Sequence, residues 1–210
     1  MRRVVLIVGL AFVLQSCAFG PGIDYRIALT EVERPEDAKQ RYGEAKITTN
    51  EEEGQSKWHF SDALVAIVWL PSTEAVSFIL ENKSSHSLKI LWDEASLVGP
   101  DGVSHRVMHE GVRFIERNAP QPPTVVAKGA KVTDTMSPSD MVEYNETVGW
   151  TQNPMLPYRA GTDDPEGTAA VQIGKTIRVL LPMEIEGVVN EYTFTFTVES
   201  ANIKGAAGKK

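Results

Sequence analysis

The chain has 210 residues, 42% of them hydrophobic, enough to bury one good core and too few for two large independent domains. Its formal net charge is −7, from 28 acidic and 21 basic residues. No stripe of Lys and Arg is present to neutralise a phosphate backbone, so this balance argues against a nucleic-acid partner.

Arg2 and Arg3 precede an almost unbroken apolar run from Val4 to Leu14. As a helix this run measures about 16 Å against a hydrocarbon core of about 30 Å, too short to span a membrane. A positive start, a short apolar run and a small residue at the cut mark a secretory signal. The run ends Leu14-Gln15-Ser16-Cys17, which resembles the lipobox of bacterial lipoproteins, with Gln15 departing from the small or aliphatic residue preferred there. That resemblance implies diacylation of the Cys17 thiol, cleavage just before it and acylation of the new amine. Cys17 is the only cysteine, so it has no disulfide partner in an oxidising compartment, and an anchor explains it better than a free thiol. Several acyl chains, palmitate among them, give stable attachment at about 0.8 kcal/mol per buried methylene. Ala18 in place of Asp resembles the pattern of lipoproteins passed on to the outer membrane, facing the periplasm or the surface. Loss of Arg2 and Arg3 takes the formal charge from −7 two units further negative. A chain of that charge is not expected to bind acidic headgroups electrostatically.

The expected organisation is a signal peptide at 1–16, a lipidated tether with a peripheral strand and helix at 17–57, a β domain at 58–200 and a flexible tail at 201–210. In the second segment "YRIALTEVE" reads as a strand. Pro35 before Glu36 and Asp37 starts a short helix, because Pro suits a first turn and acids suit its dipole. Glu51 to Glu53 read as a solvated loop. From Trp58 onward strands dominate. "ALVAIVWL" (63–70) is continuously apolar and reads as a strand buried on both faces. "EAVSFILEN" puts Val76, Phe78 and Leu80 on one face, and "SLKILWD" groups Leu88, Ile90 and Trp92. "ASLVGPDGVSHRVM" is a hairpin around Gly-Pro-Asp-Gly, and "AKVTDTMSP" is a strand stopped by Pro138. "TIRVLLPMEIEG" and "NEYTFTFTVES" close the domain, the latter alternating Tyr192, Phe194, Phe196 and Val198 with threonines at period two.

Seven or eight short strands without a long amphipathic helix predict an all-β fold, an antiparallel β-sandwich. The stretch "VSFILENKSSHSLKILWDEASLVGPDGVSHRV" is similar to the immunoglobulin-like domains of uncharacterised bacterial lipoproteins. The resemblance covers about a third of the chain and implies an immunoglobulin-like sandwich in the cell envelope, with no known chemistry.

Two segments break the rhythm. "HEGVRFIERNAPQPPTVVAKG" holds Pro120, Pro122 and Pro123, which favour an extended path without a ladder partner. Residues 144–170 form a long aperiodic loop, a length usually tied to function or disorder. Its Tyr144, Trp150, Met155 and Tyr158 are the candidate binding residues, since aromatics beside Pro and Asn offer a rigid stacking surface for a sugar ring or a partner peptide. The competing reading folds them back over the open end of the sandwich. No nucleophile elbow, phosphate loop or metal spacing is present. His105 and His109, four apart on a strand, stand about 13 Å from each other, beyond the reach of one metal ion. Asp163, Asp164 and Glu166 read as an acidic turn rather than a calcium loop.

The expected function is therefore a lipid-anchored envelope module that contacts another protein or a glycan, with no cofactor, no metal and no catalysis. The alternative is an envelope hydrolase or metal-dependent enzyme assembled from His105, His109, Asp93 and Glu110, which convergence of those side chains would favour. A subunit of a larger envelope machine would show a large exposed apolar patch.

Overall fold

A computed structural model describes residues 20–52 and 55–204. Cys17, the signal segment and most of the tail lie outside the described residues. The chain is mostly antiparallel β. Its strands are β1 (Ile23–Glu33), β2 (Lys46–Glu52), β3 (Gln55–Ser61), β4 (Val65–Pro71), β5 (Val76–Asn82), β6 (Leu88–Ile90) and β7 (Ser96–Val98), then β8 (Ser104–His109), β9 (Thr124–Val126), β10 (Lys131–Pro138), β11 (Val142–Asn145), β12 (Gly149–Gln152), β13 (Thr176–Ile185) and β14 (Val188–Ile203). Two short helices, α1 (Ala38–Tyr42) and α2 (Pro165–Ala170), interrupt them.

One curled sheet runs β1-β14-β13-β7-β8-β10-β5-β4-β3-β2, with β6 joined to β13 and β9, and the β11-β12 hairpin stands apart. The curl follows from side-chain periodicity. Trp58, Phe60, Ile67, Trp69, Phe78 and Leu80 from one half of the sheet meet Tyr192, Phe194, Phe196 and Val198 from the other in a single buried cluster. Trp69 sits at its centre, with ring centroids 4.6 Å from Phe194, 5.5 Å from Phe196 and 5.3 Å from Phe78. β8 connects the two halves, pairing with β7 on one side and β10 on the other. Where β1 approaches β3 across the open seam, Arg26 lies 5.8 Å over the Trp58 ring and donates to Ser56 Oγ.

Residues assigned to a peripheral tether turn out to build the sheet. β1 pairs with β14 from Ile23 to Glu33 and buries Ile27, Ala28 and Leu29, so it is an edge strand of the main domain. A boundary at residue 57 would cut β3 in two, and Glu51 and Glu52 belong to β2 rather than to a loop. At the other end β14 continues to Ile203, into the expected tail. β4 is not buried on both faces: Val65, Ile67 and Trp69 point to the core while Ala66, Val68 and Leu70 remain half-buried. The helix expected near Pro35 forms as α1, docked by buried Ala38 and Tyr42. The turn between β13 and β14 places Glu186 at φ 49° and Gly187 at φ 77°, the two positive angles that a tight two-residue hairpin requires.

The end of the sheet around the β3–β4 turn is locked by a buried carboxylate. Asp62 accepts from Leu64 N (2.8 Å) and Val65 N (3.1 Å), from the Tyr192 hydroxyl (2.8 Å) and from Arg34 (3.4 Å). Beside it the Tyr42 hydroxyl donates to Asn190 Oδ1 at 2.6 Å, tying α1 to β14. A buried charge costs several kcal/mol unless fully paired, so removing one partner is far more damaging than losing a surface ion pair. Asp62→Ala should lower stability by about 3 kcal/mol, roughly 10 °C in Tm for a domain of this size, read by thermal denaturation.

Burial and the neighbouring Asp62 carboxylate push the Tyr192 phenol far above its ordinary value of 10.0. A pKa raised in the folded state means that the native protein holds the proton where the unfolded chain releases it. The stability contributed is complete below pH 10 and declines as pH rises above it. Alkaline unfolding monitored by circular dichroism should therefore steepen above about pH 10, and Tyr192→Phe should flatten that limb.

Candidate functional site

The 110–123 segment carries little secondary structure, and several of its backbone polar groups are met by side chains from β8 and from the β6–β7 turn. Arg106 donates to the Asn118 carbonyl (2.7 Å), the Ala119 carbonyl (2.6 Å) and Asp93 (2.6 Å). Asp93 in turn accepts from Gln121 N at 3.1 Å. Buried Gln121 donates to the Val107 carbonyl (2.7 Å) and accepts from His109 N (3.2 Å). The segment is thus fixed to β8, and it presents a single 3-10 turn, Phe114–Glu116, outward.

Against that turn packs the β11-β12 hairpin. Its register places Tyr144 opposite Trp150, and Gly149 at φ 80° lets the chain turn back, with Asn145 Oδ1 accepting from Thr147 N (2.8 Å). The Tyr144 and Trp150 rings stand edge to face at 5.4 Å, Phe114 lies 6.3 Å from Trp150, and the Arg117 guanidinium sits 5.1 Å over the indole. Arg117 is held there by its bond to the Phe114 carbonyl (3.0 Å). Arg113 pairs with Glu116 at the rim and keeps that carboxyl below the usual glutamate range. Tyr144 is 62% exposed, Ile115 71%, Val148 68% and Trp150 36%. The hairpin is anchored by Asn153 N to the Met141 carbonyl (2.8 Å) and Gln152 Nε2 to the Glu74 carbonyl (2.8 Å). The result is an exposed aromatic and aliphatic patch on a rigid base, with a cation stacked on one ring.

The four residues singled out in the long loop do not converge. Tyr144 and Trp150 meet, but Met155 is buried in the main core next to fully buried Leu156, both bonded through their amides to the Thr73 carbonyl. Tyr158 is exposed beside Arg159, with its carbonyl accepting from Ile23 N (3.0 Å). The loop therefore divides its labour, with an aliphatic pair covering the open end of the sheet and aromatic rings facing out. Phe114, Ile115 and Arg117 were missed, because residues in and just after a 3-10 turn within a proline-rich run carry no periodicity that links them to residues 144–150.

Of the residues of the enzymatic alternative, the side chains of His105, His109 and Asp93 each pair with a different charged partner. His105 Nδ1 meets both oxygens of Asp140 at 2.9 Å. His109 stacks on Trp92 at 4.4 Å, bonds Asp134 (3.2 Å), and lies beside the Glu110 amide, which donates to the same carboxylate (2.8 Å). Asp93 is held by Arg106. Among the described residues no three His, Cys, Asp or Glu are grouped to hold a metal ion. In the acidic turn, Asp164 caps α2 by accepting from Gly167 N (2.9 Å). Comparison with family models, curated proteins and solved structures finds no match to the chain.

Gln121→Ala leaves the Val107 carbonyl and the His109 amide without partners, a cost of about 2 kcal/mol. Amide exchange across 110–123 should rise about thirtyfold while the β4 and β14 amides stay protected, as measured by hydrogen-exchange mass spectrometry.

Proposed function

We propose that the chain is a lipid-anchored module of the bacterial cell envelope, acylated on Cys17 at the outer membrane. It contacts another envelope protein or a glycan through the Tyr144–Trp150 hairpin, without catalysis of its own. The observation that carries this reading is the exposed ring pair on its pinned base, since a monomer that needed only a lid would bury its Trp and Tyr. Rigid aromatics flanked by Arg117 supply contact area at low entropic cost, and their faces suit the C–H surface of a sugar or an apolar partner side chain. The separate engagement of His105, His109 and Asp93 in fold-holding pairs supports binding over hydrolysis. We read the two facing halves of the curled sheet as an immunoglobulin-like sandwich, on the strength of their shared core and the hairpin rhythm from β4 to β8.

The test uses the lipidated protein in its native envelope, with a photo-crosslinking side chain at Val148 and, in parallel, sedimentation with purified cell-wall glycan. A discrete crosslinked species or glycan retention is expected, reduced at least tenfold in a Tyr144→Ala/Trp150→Ala variant whose Tm moves by less than about 2 °C. Retention of every contact by that variant would sink the aromatic-patch reading. Palmitate labelling that persists in Cys17→Ala would sink the anchor.

A further inference from the structure

We infer that the end of the fold where the chain enters lies against the headgroup layer that holds the acyl chains, with Tyr158, Arg159 and Lys204 as its lipid-facing residues; this rests on the assignment of Cys17 as the acylated residue. The geometry at that end fixes the chain from its first described residue. Arg159 donates to the Gly20 carbonyl (3.1 Å), Ala160 N to the Pro21 carbonyl (2.9 Å), and Lys204 N to the Gly22 carbonyl (2.8 Å). A Cβ at position 20 would fall 1.9 Å from the Ala160 carbonyl oxygen, so only glycine allows so close an approach. The chain is thus clamped at Gly20, and three residue steps remain to Cys17.

Three steps reach at most about 11 Å. The polar region of a leaflet is about 5–8 Å deep, so it takes up about half or more of that length. A domain of this size is about 40 Å across. With so short a leash the clamp cannot be carried to the far side, and Tyr158, Arg159 and Lys204 meet the headgroups. Tyr158 is 53% exposed, and Arg159 and Lys204 are exposed beside it, a ring and two long cations of the kind that settle among headgroups. Asp24 lines the same cleft as Arg159 and Lys204, and Asp163, Asp164 and Glu166 lie close by around α2, whose Thr168 hydroxyl accepts from Gly161 N. The carboxylates offset the cations, so tether length and not net charge sets the contact. The orientation is accordingly insensitive to salt.

β14 supplies a distant reference. It runs 16 residues from Val188 to Ile203, so its first residue stands at the far end of the domain, about 40 Å from the clamped end. Acylation of Cys17 consumes the only thiol, and Tyr158→Cys, Lys204→Cys and Val188→Cys each then offer one site for a nitroxide label. The lipidated full chain is reconstituted into zwitterionic phosphatidylethanolamine vesicles doped with a nickel-chelating lipid, and relaxation enhancement is measured. Enhancement at 158 and 204 should exceed that at 188 about fivefold or more, at low and high salt alike, given separations of about 10 Å and about 40 Å. Inserting about 15 Gly-Ser residues between Phe19 and Gly20, an average reach of about 20 Å, should remove most of that difference. Equal enhancement at all three sites with the native tether, or a maximum at 188, overturns the orientation. An intact mass lacking acyl chains overturns the anchor and the orientation together, whereas an acylated protein with uniform relaxation overturns the orientation alone.

Discussion

The packing of Trp69 on Phe194 is the contact on which the fold turns. The two rings come from strands far apart in the sheet order, so their 4.6 Å separation exists only once the sheet has curled onto itself. Phe60, Phe78 and Phe196 close the same cluster, and a buried ring of this size contributes about 3–5 kcal/mol against truncation. The curl leaves two open places, the seam between β1 and β3 and the end near Thr73. Arg26 spans the first, and Met155 with Leu156 fills the second. The proposed contact surfaces follow from that second closure: the chain that supplies the plug also carries the aromatic hairpin before it and Tyr158 after it.

Polar groups do the positioning that apolar burial cannot. Burial is nearly indifferent to direction, whereas a hydrogen bond to a named backbone atom fixes a segment in place. Asp62 ties the β3–β4 turn to β14 and Arg34, while Arg106 and Gln121 hold the irregular 110–123 stretch. That stretch supplies Phe114 and Arg117, which brace Trp150 from behind. The patch is thus held from β8 through side chains that lie outside it.

Legibility in the sequence tracked the contrast between the faces of each strand. β5, β13 and β14 alternate apolar and polar residues, and the structure places Phe78, Leu80, Phe194 and Phe196 all inward. β2 and β3 were partly lost because Lys46 to Asn50 are all exposed, so the hairpin reads as loop although its register is continuous. β11 and β12 hide for a related reason, being four residues each with only Val142 buried. In β4 the opposite failure occurs. Continuous apolarity suggests two covered faces, yet it comes from a half-buried outer row of Ala66, Val68 and Leu70. The site itself was half legible: Tyr144 and Trp150 lie six residues apart around a turn, while their support from Phe114 and Arg117 depends on a fold-level approach that no local pattern encodes.

The size of the aromatic patch bears on what kind of contact it can make. A large side chain buries about 150–250 Å² when fully covered, so the exposed parts of Tyr144, Trp150, Ile115 and Val148 together come to about 400 Å². At about 25 cal/mol per Å² a partner covering them gains about 10 kcal/mol before costs. Loss of translational and rotational freedom alone takes about 4–15 kcal/mol, so the patch by itself holds a partner weakly. The proposed anchor at Cys17 would alter that balance. Confining both partners to one envelope layer turns encounter into a near-intramolecular step at effective concentrations that reach the millimolar range for short linkages. On the proposed reading a weak, exchangeable patch and a short lipid leash are complementary: the leash would supply proximity that the patch lacks, and the patch would supply the selectivity that a lipid anchor cannot.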